Sequence, residues 1–342
     1  MGFDFVKILN SNESKIKFDF PISDCDEKIP MSIIKGKEKG ENLLISAGVH
    51  GAEYVGIRTL SLLFNEIDIN LIKGNLILIH CINVDAFYNH RPFTMKDGKN
   101  FNRIFPVKEF FSFSNKVGKN LTENILPFVN YHIDLHSGDC CERLIPHVYF
   151  KQSEDEKLSE ITKKMAMSTN SKYAVVSYDN SGFYNNSFNN NIPSILIEQG
   201  QLGICTNEDV KLMYESILGV MYALKMYKNN PIKKPLDKIL KNVTYPRAEN
   251  DGLFYSYVTV GQKVYKGDLL AKIKDFYGVP LEKVIADHNG EVLYMTSSLS
   301  IKKGYSPAPT PSWWWCRCSS TTPPGSRTSR SWTPPRPPWP ST

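Results

Sequence analysis

Residues 42–57 read NLLISAGVHGAEYVGI. A short Leu/Ile run is broken by Gly48, and a His and a Glu three residues apart follow at once, His50 and Glu53. The run 42–47 has the length and composition of a strand buried on both faces, and 53–67 has the spacing of an amphipathic helix. A strand feeding a helix through a Gly-containing turn is the building unit of an α/β sheet. Ligands of such sheets gather just past the C-terminal strand ends, where His50 and Glu53 fall. Two readings compete for the pair. It is half of a metal site, or it is a helix start in which Glu53 gives favourable electrostatics and His50 bonds a turn.

The same alternation continues through the first 230 residues. Apolar runs at 75–84, 131–136, 172–178 and 193–198 suit strands, and amphipathic segments at 122–130, 154–170 and 207–228 suit helices between them. The expected fold is therefore α/β, a mixed and mostly parallel sheet flanked by helices. Residues 1–230 form its domain, and the Pro- and Lys-containing stretch 231–246 reads as a linker. Beyond it, 252–258, 262–265, 268–274 and 290–295 are short β-like runs divided by Gly turns, so 247–305 is expected to be a small all-β domain.

Residues 306–342 differ from the rest in composition. All five Trp fall there, together with ten of the 21 Pro, and no Lys, Asp or Glu. That bias marks a non-native or disordered tail, set outside the fold argument.

Several function classes recede on composition alone. A formal charge of +6 spread without a basic block argues against a nucleic-acid partner. No run of about 18 apolar residues argues against a membrane span. The N-terminus lacks a signal-peptide pattern. Seven Cys without a CxxC pair read as reduced thiols of a cytoplasmic protein, the adjacent Cys140 and Cys141 included.

A catalytic zinc takes three protein ligands from His and Asp/Glu and keeps one position open. His50 and Glu53, three apart at a helix entry, face one side. His136, closing YHIDLH at another strand end, is the preferred third ligand, although spacing alone leaves His132 as an alternative. His132, Asp134 and His136 share one strand face, so Asp134 is placed to orient an imidazole. His80, His90, His147 and His288 are expected to be structural or at the surface. Zinc-bound water needs a base. Glu198 ends the apolar strand 193–198, where a carboxylate calls for a reason beyond a solvated strand end. Arg is rare before the tail, at only five positions. Two of them, Arg91 and Arg103, fall in one loop, NHRPFTMKDGKNFNRIFP (89–106), and Arg is suited to bidentate recognition of carboxylates.

Taken together, HGAE (50–53), NFNRIFP (100–106), IDLHSG (133–138) and LIEQG (196–200) resemble the succinylglutamate desuccinylase/aspartoacylase family, zinc hydrolases with a carboxypeptidase-like α/β fold. The β segment after residue 250 resembles the lipoyl-like domain of many bacterial members. Asp287-His288-Asn289 stands at the hairpin where a modified Lys would sit, so no lipoyl or biotinyl group is expected. The resemblance implies one zinc per chain held by His50, Glu53 and His136, with Glu198 as general base and acid. It further implies that Arg91 polarises the scissile carbonyl, and that Asn102 and Arg103 hold the substrate carboxylate. The family's acidic-Leu pair before Asn-Arg is Asn100-Phe101 here. A Tyr over the substrate, Tyr255 or Tyr257, is left open. The function so implied is a zinc-dependent deacylase that cleaves the amide of a small N-acyl amino acid through metal-bound water. A zinc carboxypeptidase acting on peptides and a non-catalytic binding protein are the alternatives, and a homo-oligomer is left open.

Overall fold

The computed structural model describes residues 4–23, 25–231, 236, 238–241, 243–304 and the backbone of 314–317. The larger domain is built on a sheet whose strands are, in chain order, β1 (Lys15–Pro21), β2 (Lys28–Lys35), β3 (Glu38–Ala47), β4 (Lys73–Ile79), β5 (Tyr131–His136), β6 (Glu142–Leu144), β7 (His147–Phe150), β8 (Tyr173–Val176), β9 (Ser194–Glu198) and β10 (Lys238–Leu240). Apart from β6, these form a nine-stranded sheet in the order β1-β2-β4-β3-β5-β9-β7-β8-β10. The central pairs β4/β3, β3/β5 and β5/β9 are parallel, as are β7/β8 and β8/β10; β1/β2, β2/β4 and β9/β7 are antiparallel. The mixed, mostly parallel sheet expected from the sequence is what forms.

Helices cover both faces: α1 (Phe5–Leu9), α2 (Tyr54–Glu66), α3 (Val84–Asn89), α4 (Phe113–Asn124), α5 (Glu156–Ala166), α6 (Phe183–Asn189) and α7 (Asn207–Ala223). Strand alternation in β3 divides the core. Leu43, Ile45 and Ala47 pack with Leu60 and Leu63 of α2, Met165 of α5 and Ile217 of α7. Leu44 turns to the other face, with Val117 and Leu121 of α4 and Phe183 of α6. Both sets are buried, and each such Leu contributes roughly 2 kcal/mol of hydrophobic stabilisation.

Three local expectations shift. The strand 75–84 stops at Ile79, because Asn83 caps α3 by accepting from the Ala86 amide. The helix expected over 122–130 instead spans Phe113–Asn124, capped by Ser112. Pro127 then follows, and a proline disfavours helical geometry in the residue before it. In the stretch read as a linker, Lys238–Leu240 pairs with β8 and extends the sheet.

The smaller domain is all β: β11 (Val243–Thr244), β12 (Gly252–Ser256), β13 (Lys263–Val264), β14 (Leu269–Lys274), β15 (Pro280–Ile285), β16 (Gly290–Thr296) and β17 (Ser300–Ile301), around a core of Phe254, Leu270, Ile273 and Val292. It is joined to the larger domain by hydrogen bonds. β16 pairs with β6, placing Tyr294 opposite Leu144 and Thr296 opposite Glu142. Leu293 packs with Tyr149 and Leu196, and the Tyr173 hydroxyl donates to Glu291. Of the tail set aside above, the backbone of Trp314–Arg317 forms a strand antiparallel to β16 and β11. The remainder of that expectation lies outside the described residues. No helix among the described residues is long and apolar enough to cross a membrane.

Candidate metal centre and substrate cavity

His50 and Glu53 lie in the turn between β3 and α2, and two packing contacts fix that turn. Gly51 presses against the backbone of α3, so close that a Cβ there would stand 2.0 Å from the Ala86 carbonyl. Its amide donates to the Arg91 carbonyl at 2.9 Å, which ties the Arg91 loop to the same turn. Gly56, at the start of α2, lets the helix lie on Leu135 of β5, the strand that ends in His136. Glu53 is the N-cap residue of α2, yet its side chain makes no capping bond. It turns instead to the histidines. Oε1 lies 2.6 Å from His50 Nδ1, and Oε2 lies 2.9 Å from His136 Nδ1. One donor atom from each of the three lies within 4.8 Å of the others. The helix start and a candidate metal site are therefore compatible, since the cap position aims the carboxylate at both imidazoles.

The outer imidazole nitrogens are held as well. His50 Nε2 donates to Asn100 Oδ1 at 3.0 Å, and the Asn102 amide bonds that same oxygen at 2.8 Å, which fixes it as an acceptor. His136 Nε2 donates to Asp134 Oδ2 at 3.3 Å. With both Nε2 atoms acting as donors, both Nδ1 atoms face Glu53 as the available ligand atoms. Oriented tautomers of this kind are the usual support of metal-binding histidines. His132 is not part of the group, since Ser187 and Ser46 engage its two nitrogens, each at 2.8 Å.

Charge supports the same conclusion. Burial alone would raise the Glu53 carboxyl, but His50 and His136 outweigh it and hold it at about 2. Burial would lower both imidazoles. Glu53 overcomes this for His50, and Glu53 with Asp134 overcomes it for His136, which lies well above the ordinary histidine value. The site draws positive charge into a buried space, and two nitrogens with one carboxylate suit zinc. The residues fit the metal that the sequence motifs imply.

His50 and Glu53 open into a cavity of about 920 Å³. Glu198, Arg91, Asn102 and Arg103 line it beside His50 and Glu53, while His136 lies buried behind the wall, in contact with Glu53. Glu198 pairs across the sheet with His136. Burial pushes its carboxyl well above the ordinary range, with His136 opposing and Glu53 and Glu142 reinforcing. Tyr255 and Tyr257 are exposed and are not among the lining residues; Tyr294, delivered by the β16/β6 pairing, stands in the wall instead. His90 and His147, expected to be structural or at the surface, are also wall residues. His147 lies beside Glu198 in the register of β7 with β9 and donates through Nδ1 to the Ile145 carbonyl at 2.7 Å. Glu142 was missed altogether. Burial and the neighbouring Asp139 push its carboxyl to about 7. No local sequence signal marks Tyr294 or Glu142, because a pairing between residues some 150 apart places them.

Residues 39–224 match the model of the succinylglutamate desuccinylase/aspartoacylase catalytic domain. The N-alpha-acetyl-L-2,4-diaminobutyric acid deacetylase of Halomonas elongata is 23% identical over 285 residues, covering 81% of this chain and 83% of that protein. Among solved structures, the product-bound ectoine utilization protein EutE (DoeB) of Ruegeria pomeroyi superposes with a TM-score of 0.79 at 22% identity, covering 90% of this chain and 96% of that one. A succinylglutamate desuccinylase/aspartoacylase of Rhodobacter sphaeroides gives 0.76 at 22% identity, with 89% and 96% covered.

Proposed function

The chain belongs to the succinylglutamate desuccinylase/aspartoacylase family, and on that premise we propose that it is a zinc-dependent deacylase of small N-acyl amino acids. The observation that carries this reading is the His50–Glu53–His136 triangle, whose His50 and Glu53 line the same cavity as Glu198 and Arg103. Zinc, one per chain and held by those three side chains, supplies Lewis acidity toward water and a carbonyl.

The remaining chemistry belongs to the chain. Arg103, with Asn102, anchors the substrate carboxylate and so sets the acyl carbonyl over the site. Arg91 faces the oxygen on which negative charge develops. Glu198 takes a proton from the attacking water and returns it to the leaving nitrogen. Its burial favours the protonated form, which suits the second of those steps.

The residues that the smaller domain adds to the cavity wall favour small amides over peptides. Tyr294, Ile301 and Lys302 of the smaller domain, together with Tyr245, wall one side of it. The relative named above as an N-alpha-acetyl-L-2,4-diaminobutyric acid deacetylase supports an N-acetyl amino acid as substrate. The five free cysteines among the described residues fit a cytoplasmic enzyme. Glu198→Gln should retain zinc and lose at least about a hundredfold in kcat on an N-acyl amino acid. Near-normal turnover would remove Glu198 from the mechanism. A panel of N-acetyl and N-succinyl amino acids run beside short peptides identifies the substrate, and faster cleavage of peptides would replace the deacylase with a carboxypeptidase.

A further inference from the structure

We propose that Ser187, His132 and Ser46 form a one-way hydrogen-bond relay that positions the metal ligand His136 through Asp134. The relay rests on the metal-centre reading above and assigns work to three residues that reading leaves unused. Its links run from α6 into the sheet. Ser187 Oγ lies 2.8 Å from His132 Nδ1, and His132 Nε2 lies 2.8 Å from Ser46 Oγ. Ser46 Oγ lies 2.6 Å from Asp134 Oδ1, and Asp134 Oδ2 lies 3.3 Å from His136 Nε2. Ser46, His132, Asp134 and Ser187 are each 0% exposed and His136 is 1% exposed, so water does not compete along the chain.

The direction of every bond follows from one constraint. A buried carboxylate only accepts, so the single Ser46 proton goes to Asp134. Ser46 must then accept from His132 Nε2–H. His132 Nδ1 is left as a lone pair and accepts from the Ser187 hydroxyl. At the other end Asp134 accepts from His136 Nε2–H, which turns His136 Nδ1 toward Glu53. No member donates twice, and no bond can reverse without stranding a buried group.

The arrangement explains why a histidine and two serines occupy positions between apolar strands and α6, where apolar side chains would pack at less cost. Ser46 holds one oxygen of Asp134 so that the other stays on His136. His132, edge-on to Phe183 with ring centres 4.8 Å apart, ties the far end to α6. Removing Ser46 leaves Asp134 Oδ1 buried without its donor, and the carboxylate is then free to turn away from His136. The expected consequence is a looser zinc site with its ligands intact.

The test measures zinc affinity of the full chain by competition with a chromogenic chelator, beside melting temperatures with and without zinc. Ser46→Ala should weaken zinc binding about 10- to 100-fold, the usual effect of losing a group that supports a ligand. Ser187→Ala, further along the relay, should weaken it less. Ser46→Thr, which keeps the hydroxyl, should restore affinity. In an Asp134→Asn background Ser46→Ala should add little, because the oxygen it serves has changed. Zinc affinities of Ser46→Ala and Ser187→Ala within twofold of wild type, with only the zinc-free melting temperature lowered, would reduce the relay to core packing. If Ser46→Ala does not fold, unchanged affinity in Ser187→Ala alone overturns the proposal. Wild-type protein that takes up no zinc would overturn the metal-centre reading and the relay with it, whereas normal wild-type uptake with insensitive variants removes only the relay.

Discussion

Glu142→Gln should make the protein more stable at pH 8 while changing little at pH 5. The Glu142 carboxyl accepts from the Asp139 amide at 3.0 Å and from the Tyr294 hydroxyl, yet burial and the nearby Asp139 raise it from an ordinary 4.5 to about 7. A carboxyl raised in the folded state retains its proton where the unfolded chain has lost it. Its contribution is therefore fully present below about pH 4.5, falls away as the pH rises toward 7, and levels off above that. At about 1.4 kcal/mol per pH unit, the penalty at pH 8 amounts to roughly 3 kcal/mol. Gln fills the same space and keeps an acceptor for Tyr294, but carries no charge to bury. Urea unfolding followed by circular dichroism at pH 5, 6, 7 and 8, with matched slopes, measures the difference between variant and wild type. Acids remote from Glu142 titrate alike in both proteins and cancel, and Glu198, which Glu142 also raises, shifts the difference in the same direction. The variant should gain roughly 2–3 kcal/mol relative to wild type between pH 5 and pH 8. A difference that stays constant with pH would refute the raised carboxyl of the half-buried Glu142 beside Asp139.

Two other substitutions probe how the site is held. Gly51→Ala places a methyl 2.0 Å from the Ala86 carbonyl, so α3 and the Arg91 loop must move by more than 1 Å to reach ordinary contact. It should cost about 1–3 kcal/mol in thermal unfolding and lower kcat/KM at least about tenfold, with zinc retained. Arg103→Ala should raise KM roughly 10- to 100-fold for a substrate with a free carboxylate, from the loss of one charge-assisted pair. A carboxamide analogue should be almost insensitive to it, and equal loss on both substrates would show that Arg103 is not the anchor.

The site was more legible than the pocket around it. His50 and Glu53 stood out by spacing, His136 by strand alternation, and Glu198 as a charge ending an apolar strand, because each signal is local. The same patterns located the central strands, since a strand buried on both faces must be apolar throughout. The places of His147 and Tyr294 in the cavity wall were not legible, for the opposite reason. His147 gains its place only from the antiparallel register of β7 against β9, and Tyr294 only from β16 joining β6. Pairings between distant segments leave no period in either partner. Asn100 illustrates the intermediate case. It was visible as a departure from the family pattern, but its bond to His50 Nε2 appears only when the loop is folded back on the turn.

The central claim is tested most directly by zinc content and activity measured on the same sample. The protein should carry about one zinc per chain, lose hydrolysis of N-acetyl amino acids on chelation, and regain it when one equivalent of zinc is returned. Undiminished hydrolysis by protein stripped of metal would contradict the account, even if His50, Glu53 and His136 prove able to bind the ion.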